Sequence, residues 1–275
     1  AWQTSQSLWR DAMIKAPDQV RPISHVAIDF AWSGNPTPRD YRIALRLFEK
    51  SLALQMARKD MRADILGNIG NIYFQMGEMD RALVYQQKAL AEGTKNKKLR
   101  YDFIKTLVVQ SRWEDAERHA KVLTGEGRIN EEYYNIHGFI LLWQNRPSEA
   151  LDQFRKALRL APFKPNIMLN TGKALSLAGS FENAEWFYRL VHKLEPKDPM
   201  PYFGMIENSL RWGGQQAANR YAVRLFSVFP VDFIQDQLTV LSNNPRTIPF
   251  SSQSIAAPIA HCMKDICRKN SNASF

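Results

Sequence analysis

The sequence predicts an all-α protein, an α-solenoid of stacked helix pairs with capping helices at its ends. Small residues recur with a fixed period of 34 residues, and prolines recur with the same period twelve residues further on. No segment is rich in strand signals. Apolar residues make up 45% of the chain and charged residues 23%, as expected of a folded globular protein.

An alanine series marks the second helix, helix B, of each predicted pair. Steps of 34 residues from Ala82 reach Ala116, Ala150, Ala184 and Ala218. A period of this length fits two antiparallel helices with their turns. A small residue early in helix B lets the first helix of the pair, helix A, approach closely. Helix A carries its own small residue in the same phase, at Gly70, Gly138 and Gly172.

A proline series marks the end of helix B. Pro162, Pro196 and Pro230 each follow an alanine of the first series by twelve residues. Proline lacks an N–H group and disfavours helical backbone in the residue before it, so each should end a helix. Phe154 and Tyr188, four residues after their alanines, should fill the space beside the glycines of helix A.

The first helices depart from this period. Ser5–Lys15, ended by Pro17, is predicted to be a helix B whose helix A is missing from the sequence. Val20–Phe30 is predicted as helix A and Ala44–Leu54 as helix B of the next pair. Between them, WSGNPTPRDY is expected to form a non-helical turn with about five extra residues, because it holds two prolines and a Gly-Asn step.

The C-terminal segment also falls outside the register. VDFIQDQLTVL is a plausible helix A, and a last helix at about Ser254–Arg268 should cover the open end of the array, which would otherwise expose apolar surface. The tail Asn270–Phe275 should be frayed. Its Asn-Ala-Ser step at Asn272 fits a glycosylation pattern only weakly.

These units resemble the tetratricopeptide repeat (TPR), whose pattern is a bulky residue, Leu-Gly, Tyr, Ala, Phe, Ala and Pro. The unit from Glu131 carries Tyr134, Gly138, Leu141, Ala150, Phe154, Ala157 and Pro162. The unit from Pro165 carries Met168, Gly172, Leu175, Ala184, Tyr188, Val191 and Pro196. The unit from Ala63 carries Leu66, Gly70, Tyr73, Ala82, Gln86 and Ala89, with Thr94 in place of the proline.

The resemblance covers roughly residues 20–230 and implies a right-handed α-solenoid of about six repeats. Its units lie near 20–57 (with the loop insertion), 63–96, 97–130, 131–164, 165–198 and 199–230. Residues 1–17 form the orphan helix before the array, and residues 231–275 form the cap and tail after it.

Catalytic motifs are missing from the sequence, and we expect a protein that is not an enzyme and needs no cofactor. The five histidines are scattered, without HExxH spacing, and there is no GxSxG, P-loop or GxGxxG motif. His261 with Cys262 and Cys267 makes a poor zinc set, so no metal is expected. His137 replaces the usual leucine of helix A and is predicted to be a packed histidine.

The resemblance implies that the chain binds a peptide or protein in a concave groove lined by positions 2, 5, 6, 9, 12 and 13 of each helix A. The predicted groove residues are Asn68, Asn71, Phe74, Tyr101, Lys105, Asn135, Phe139, Trp143, Asn170, Lys173 and Arg211. Amides can hold an extended peptide backbone, cations can pair with ligand carboxylates, and aromatic residues can anchor apolar side chains. A net charge of +10 would suit an acidic partner.

Two points limit this prediction. Replacing Asn71 and Asn135 with alanine is predicted to weaken capture of the partner and to leave the melting temperature nearly unchanged. An asparagine in helix A can instead tie neighbouring helices together, and in that case the melting temperature would fall strongly. Lys105 and Lys173 stand at the ninth position, where chaperone-binding repeats have asparagine, so a receptor for chaperone tails is disfavoured.

The opening stretch WQTSQSLWRDAMIKAPDQVRP resembles the junction between the last membrane span and the C-terminal repeats of bacterial multi-pass membrane proteins. These proteins are of the protein O-mannosyltransferase-like or glycan-polymerase type. The resemblance implies a periplasmic tail, tethered through a missing membrane segment, whose partner is a secreted protein or envelope glycan machinery. Trp2 and Trp9 would then pack on the next helix pair or await an upstream neighbour.

Two alternatives stay open. The repeats could form a free-standing soluble adaptor, in the cytoplasm or the periplasm. A basic helical-repeat protein could also bind nucleic acid, although the polar positions of helix A show no regular two-residue code.

Overall fold

A computed structural model describes residues 5–54, 59–93, 95–125, 130–243 and 255–260. Within these ranges the chain contains helices and turns but no strand, so the predicted all-α class is confirmed. Trp2, Thr94, His261, Cys262, Cys267 and the tail Asn270–Phe275 lie outside the described residues. The chain forms two compact units, residues 1–110 and 111–275, which we call the N-terminal and C-terminal units.

The described residues of the N-terminal unit form six helices, each packed against the next along the chain. They are α1 (Ser5–Lys15), α2 (Val20–Trp32), α3 (Pro38–Ala53), α4 (Lys59–Gln75), α5 (Met79–Ala91) and α6 (Lys97–Val109). Trp9 of α1 stacks on the imidazole of His25 in α2, with ring centroids 4.0 Å apart. The first helix therefore packs its tryptophan on the following helix.

The C-terminal unit continues the alternation of A and B helices. Its helices are α7 (Trp113–Gly125), α8 (Glu131–Trp143), α9 (Pro147–Leu160), α10 (Pro165–Leu177), α11 (Phe181–Leu194), α12 (Met200–Arg211), α13 (Gln215–Val228) and α14 (Val231–Asn243). Residues 255–260 form a further short helix, in which Ile255 and Ile259 are buried beside Leu225 and Ile234. The described part of the predicted cap thus covers apolar surface.

The turn before α3 is shorter than the sequence indicated. WSGNPTPRDY was expected to be non-helical throughout, but α3 begins at Pro38. Thr37 caps this helix: its hydroxyl accepts a hydrogen bond from the Asp40 N–H at 3.4 Å, and the Asp40 carboxylate accepts one from the Thr37 N–H at 2.8 Å. Proline at the first helical position has no N–H to leave unsatisfied, so here it starts a helix rather than breaking one.

Close approach of the paired helices depends on glycine, as the period predicted. A Cβ atom on Gly138 would lie 2.6 Å from the ring of Phe154, and one on Gly172 would lie 2.7 Å from the ring of Tyr188. Tyr188 also faces Gly204, where an added Cβ would lie 2.5 Å from its ring. The glycine of α12 was not predicted, and it lets one tyrosine fill the space against two A helices.

The prolines stand just beyond the ends of their helices. α9, α11 and α13 end at Leu160, Leu194 and Val228, each two residues before its proline. The described helices therefore follow the period from which they were predicted.

Candidate functional site

A cleft of about 480 Å³ lies in the N-terminal unit beside α2 and α4. Its apolar wall comes from Val20, Ile28, Met61 and Ile65. Its polar lining comes from the turn before α2 and from the two helices, through Asp18, Gln19, Arg21, Ser24, His25, Asp64 and Asn68. The cleft thus combines apolar surface with a few hydrogen-bonding groups, as peptide and small-molecule sites commonly do.

Hydrogen bonds fix two polar side chains of the cleft, and partial burial affects a third. The Ser24 hydroxyl donates to the Ser51 hydroxyl at 3.2 Å, and Asp64 accepts a hydrogen bond from the Asn96 amide at 2.9 Å. Partial burial lowers the pKa of His25 below its ordinary value, and nearby Arg21 acts in the same direction. His25 is therefore neutral at pH 7, and its ring can both donate and accept.

The repeat phase assigns the cleft residues to positions of helix A, although those of α2 were not predicted from the sequence. Counting back from Ala27 as the small residue of helix A puts Arg21, Ser24 and His25 at positions 2, 5 and 6. Asp64 and Asn68 hold positions 2 and 6 of the next unit. The irregular turn after α2 interrupts the 34-residue period. Positions counted back from the regular repeats therefore do not reach the residues of α2.

Asn71 belongs to a bonded cluster in the N-terminal unit. Its amide donates to Asp102 of α6 at 2.9 Å, and its carbonyl oxygen accepts from Gln86 of α5 at 3.0 Å. Lys98 and Lys105 also reach Asp102, at 2.7 and 2.8 Å. Burial alone would raise the pKa of the Asp102 carboxyl, but Lys105 and the other donors hold it below its ordinary value. Asn71 therefore ties α4 to α5 and α6.

The other predicted residues of this unit lie nearby. The amine of Lys105 sits 5.1 Å from the ring centroid of Tyr101, so these two predicted residues are in contact. Phe74 is half-buried against the core of the N-terminal unit. Of the predicted residues described in this unit, Asn68 is the one that lines the cleft.

In the C-terminal unit the A helices are joined by buried polar contacts. The Asn170 amide of α10 donates to the Asn135 carbonyl oxygen of α8 at 2.8 Å, and both side chains are buried. The Lys173 amine of α10 contacts both carboxylate oxygens of Glu207 in α12, at 2.7 and 2.6 Å. Arg211 reaches the same carboxylate at 3.1 Å from a more exposed position.

The predicted apolar anchors form an aromatic stack. Trp143, at the end of α8, stacks on Trp113 of α7 with centroids 5.0 Å apart, and Phe139 meets Trp143 edge-on at 6.4 Å. Phe139 is buried, whereas Trp143 keeps 36% of its surface exposed. His137 is buried as predicted, with its Nδ1 3.3 Å from the Thr124 hydroxyl.

Two further features of the described residues concern membranes and metals. None of the described helices is both long and apolar enough to cross a membrane. Nor do the described histidines, cysteines, aspartates and glutamates form a group of three that could hold a metal ion.

Comparison with known families identifies the repeats. Residues 140–199 and 62–92 match family models described as Tetratricopeptide repeat. These segments therefore contain tetratricopeptide repeats, as predicted, and the α-solenoid class is confirmed. Arrays of this fold serve in general as scaffolds for protein interaction and bind peptides or proteins.

The chain is similar to three known proteins, one curated relative and two solved structures. The human protein O-mannosyl-transferase TMTC1 is 27% identical over 182 residues, which cover 65% of this chain. The chain spans 20% of the length of that curated relative. A tetratricopeptide repeat protein from Parabacteroides merdae superposes with a TM-score of 0.66 at 16% identity, covering 89% of this chain and 98% of the other.

YrrB, a TPR protein with an unusual peptide-binding site, superposes with a TM-score of 0.55 at 18% identity, covering 70% of this chain and 98% of its own. At identities this low, the likeness to both solved structures concerns the fold.

Proposed function

We propose that this chain is a non-catalytic interaction scaffold that holds an extended peptide segment of a partner protein in the cleft beside α2 and α4. Positions 2 and 6 of two successive A helices present Arg21, His25, Asp64 and Asn68 to this cleft, which supports the proposal. YrrB, with the same fold, is named for its peptide-binding site, which supports a peptide as the ligand.

The chemistry of the cleft suits a peptide backbone. The Asn68 amide can donate to one backbone carbonyl and accept from one backbone N–H, which holds a strand in register. Neutral His25 can do the same through its two ring nitrogens. Ile28 and Met61 offer a surface for an apolar side chain, and Arg21 offers a charge for a carboxylate.

The C-terminal unit offers weaker support for a peptide-binding groove. Its predicted contacts Asn135, Asn170 and Lys173 are buried and already bonded to other helices. A ligand would have to displace those bonds, whereas the cleft of the N-terminal unit is open to solvent.

A peptide selection tests the site. Peptides that bind the chain are selected from a random displayed library, and their dissociation constants are measured by fluorescence polarisation. Arg21→Ser and Asn68→Ala should each weaken binding about tenfold, the loss of one well-placed hydrogen bond or ion pair, without changing the melting temperature. The matched control is Arg42→Ser, which removes the same charge from an exposed position on α3. Peptides that bind all three variants with unchanged affinity would place the site elsewhere.

We also propose that the repeats belong to a longer membrane-bound protein and act on the extracytoplasmic side. The match to a fifth of an O-mannosyl-transferase supports this, together with the junction-like opening stretch. Any glycosyl transfer would then take place in other parts of that protein. The test is the coding sequence upstream of Ala1: several apolar segments of about 20 residues are expected there, and their absence would overturn this reading.

A further inference from the structure

A second cleft lies in the C-terminal unit between the B helices α11 and α13, with α12 as its floor. It consists of two adjoining cavities of about 410 and 170 Å³ that share Arg189 and Tyr221. The larger cavity opens beside the turn between α12 and α13, where Trp212 forms a wall. The smaller cavity continues along α13 to Arg224. Neither cavity uses a residue of the cleft beside α2 and α4.

The charge of this helix-B cleft is strongly positive. Arg189, Arg220 and Arg224 line it, and Glu185 is the carboxylate among its lining residues. Glu185 is already engaged, since it pairs with Arg189 at 2.6 Å and accepts a hydrogen bond from the Tyr221 hydroxyl.

Arg220 and Arg224 are uncompensated. Among the described residues no carboxylate lies within 4.0 Å of either guanidinium. The two are one helical turn apart on α13, so they present their charges on the same face. Together they form a row of unpaired positive charge along the cleft.

Apolar groups accompany these charges. Trp212 stacks on Phe181, with centroids 5.9 Å apart, yet 51% of its surface stays exposed. Met205 lines the smaller cavity and Ala217 the larger one. Half-exposed tryptophan beside arginine is typical of the residues that dominate binding at protein interfaces. The cleft therefore has an apolar wall as well as cationic groups.

We propose that the helix-B cleft binds an acidic peptide segment of a partner protein. Carboxylates of the peptide pair with Arg220 and Arg224, and an intervening apolar side chain packs against Trp212. Charge complementarity selects an acidic partner, and the wall formed by Trp212, Met205 and Ala217 suits an apolar side chain that lies between the carboxylates of a peptide. This site goes beyond the groove of the proposed function and lies on the opposite helix of the repeat.

Binding of a synthetic probe tests this site. The probe is a fluorescein-labelled peptide of alternating glutamate and leucine, and its affinity for the whole chain is measured by fluorescence polarisation. Arg220→Gln with Arg224→Gln should weaken binding at least tenfold at low salt. Binding to the unchanged protein should also weaken as salt rises, because exposed charges are screened. Trp212→Ala should weaken the same probe severalfold while leaving its salt dependence in place.

The matched control is Arg42→Gln with Arg46→Gln on α3. These arginines are also exposed and one turn apart, so the control removes the same charge with the same spacing. If both double variants lose affinity equally, the probe responds to net charge alone and the proposal fails. It fails equally if single-stranded RNA competes as well as the peptide does, or if polyglutamate without leucine binds as tightly.

Discussion

The side-chain amine of Lys173 lies 2.7 and 2.6 Å from the two carboxylate oxygens of Glu207, and both residues are almost fully buried. The pair joins α10 to α12 at the ninth position of successive units. Burial lowers the pKa of the Lys173 amine, and Glu207 opposes that shift by stabilising the charged form. A lysine predicted to meet a ligand carboxylate is thus paired with a carboxylate of its own chain.

Removal of one partner should therefore cost more than removal of both. Lys173→Met should lower the free energy of unfolding by about 3 kcal/mol, because Glu207 then keeps a buried charge that pairs, among the described residues, only with the more exposed Arg211. Lys173→Met with Glu207→Leu should come within about 1 kcal/mol of the unchanged protein, because two apolar side chains fill the site. Urea denaturation measures both. Lys193→Met, exposed on α11, is the control and should have almost no effect.

The contact of Gly138 with Phe154 makes a second prediction. Gly138→Ala should lower the free energy of unfolding by about 1–3 kcal/mol, although alanine favours a helix, because the added methyl group overlaps a fully buried ring. Phe154→Leu in the same chain should make that change less costly, which a double-mutant cycle measures. Gly125→Ala should be neutral or stabilising, because an added Cβ would meet no described atom within 4 Å beyond its own helix and chain neighbours. Equal costs at the two glycines would contradict this account of the packing.

His137 should make stability depend on pH. Burial lowers its pKa from 6.5 to about 4, so the folded protein keeps the imidazole neutral while the unfolded chain takes up a proton below pH 6.5. The free energy of unfolding should therefore fall as pH drops from 6.5 to 4, by about 3 kcal/mol from this residue. His137→Leu should remove that contribution. The measurement is the difference in unfolding free energy between the two proteins at pH 7 and pH 4. A difference that stays constant would show that His137 does not titrate in this way.

The parts of the fold that the sequence predicted are those that depend on local sterics. Residues equivalent to Gly138, Ala150 and Phe154 recur in phase in other units. Two helices can approach closely only where side chains are small and a ring fills the remaining space. The start of α3 was missed because a proline was read as a helix breaker, whereas Pro38 stands at the first helical position. Pro147 of α9 takes the same role.

Polar partners were harder to predict, because they depend on how successive A helices are rotated against each other. Asn135 stands at position 5 of its unit but bonds to Asn170 at position 6 of the next, while Lys173 and Glu207 both stand at position 9. No single residue spacing predicts both of these pairs. The composition of helix A identified the polar residues, but whether each faces a ligand or a neighbouring helix was decided by the packing.

The bond between Asn135 and Asn170 allows a direct test of that distinction. Asn135→Ala should lower the free energy of unfolding by about 1–3 kcal/mol, because the buried Asn170 amide loses its acceptor. Asn135→Ala with Asn170→Ala should cost less than the sum of the two single changes, since no buried donor is then left unpaired. Thermal and urea denaturation measure these costs, and Asn166→Ala, exposed on α10, is the control. If Asn135→Ala instead weakens binding of a selected peptide while stability stays unchanged, Asn135 is a ligand contact rather than a tie between helices.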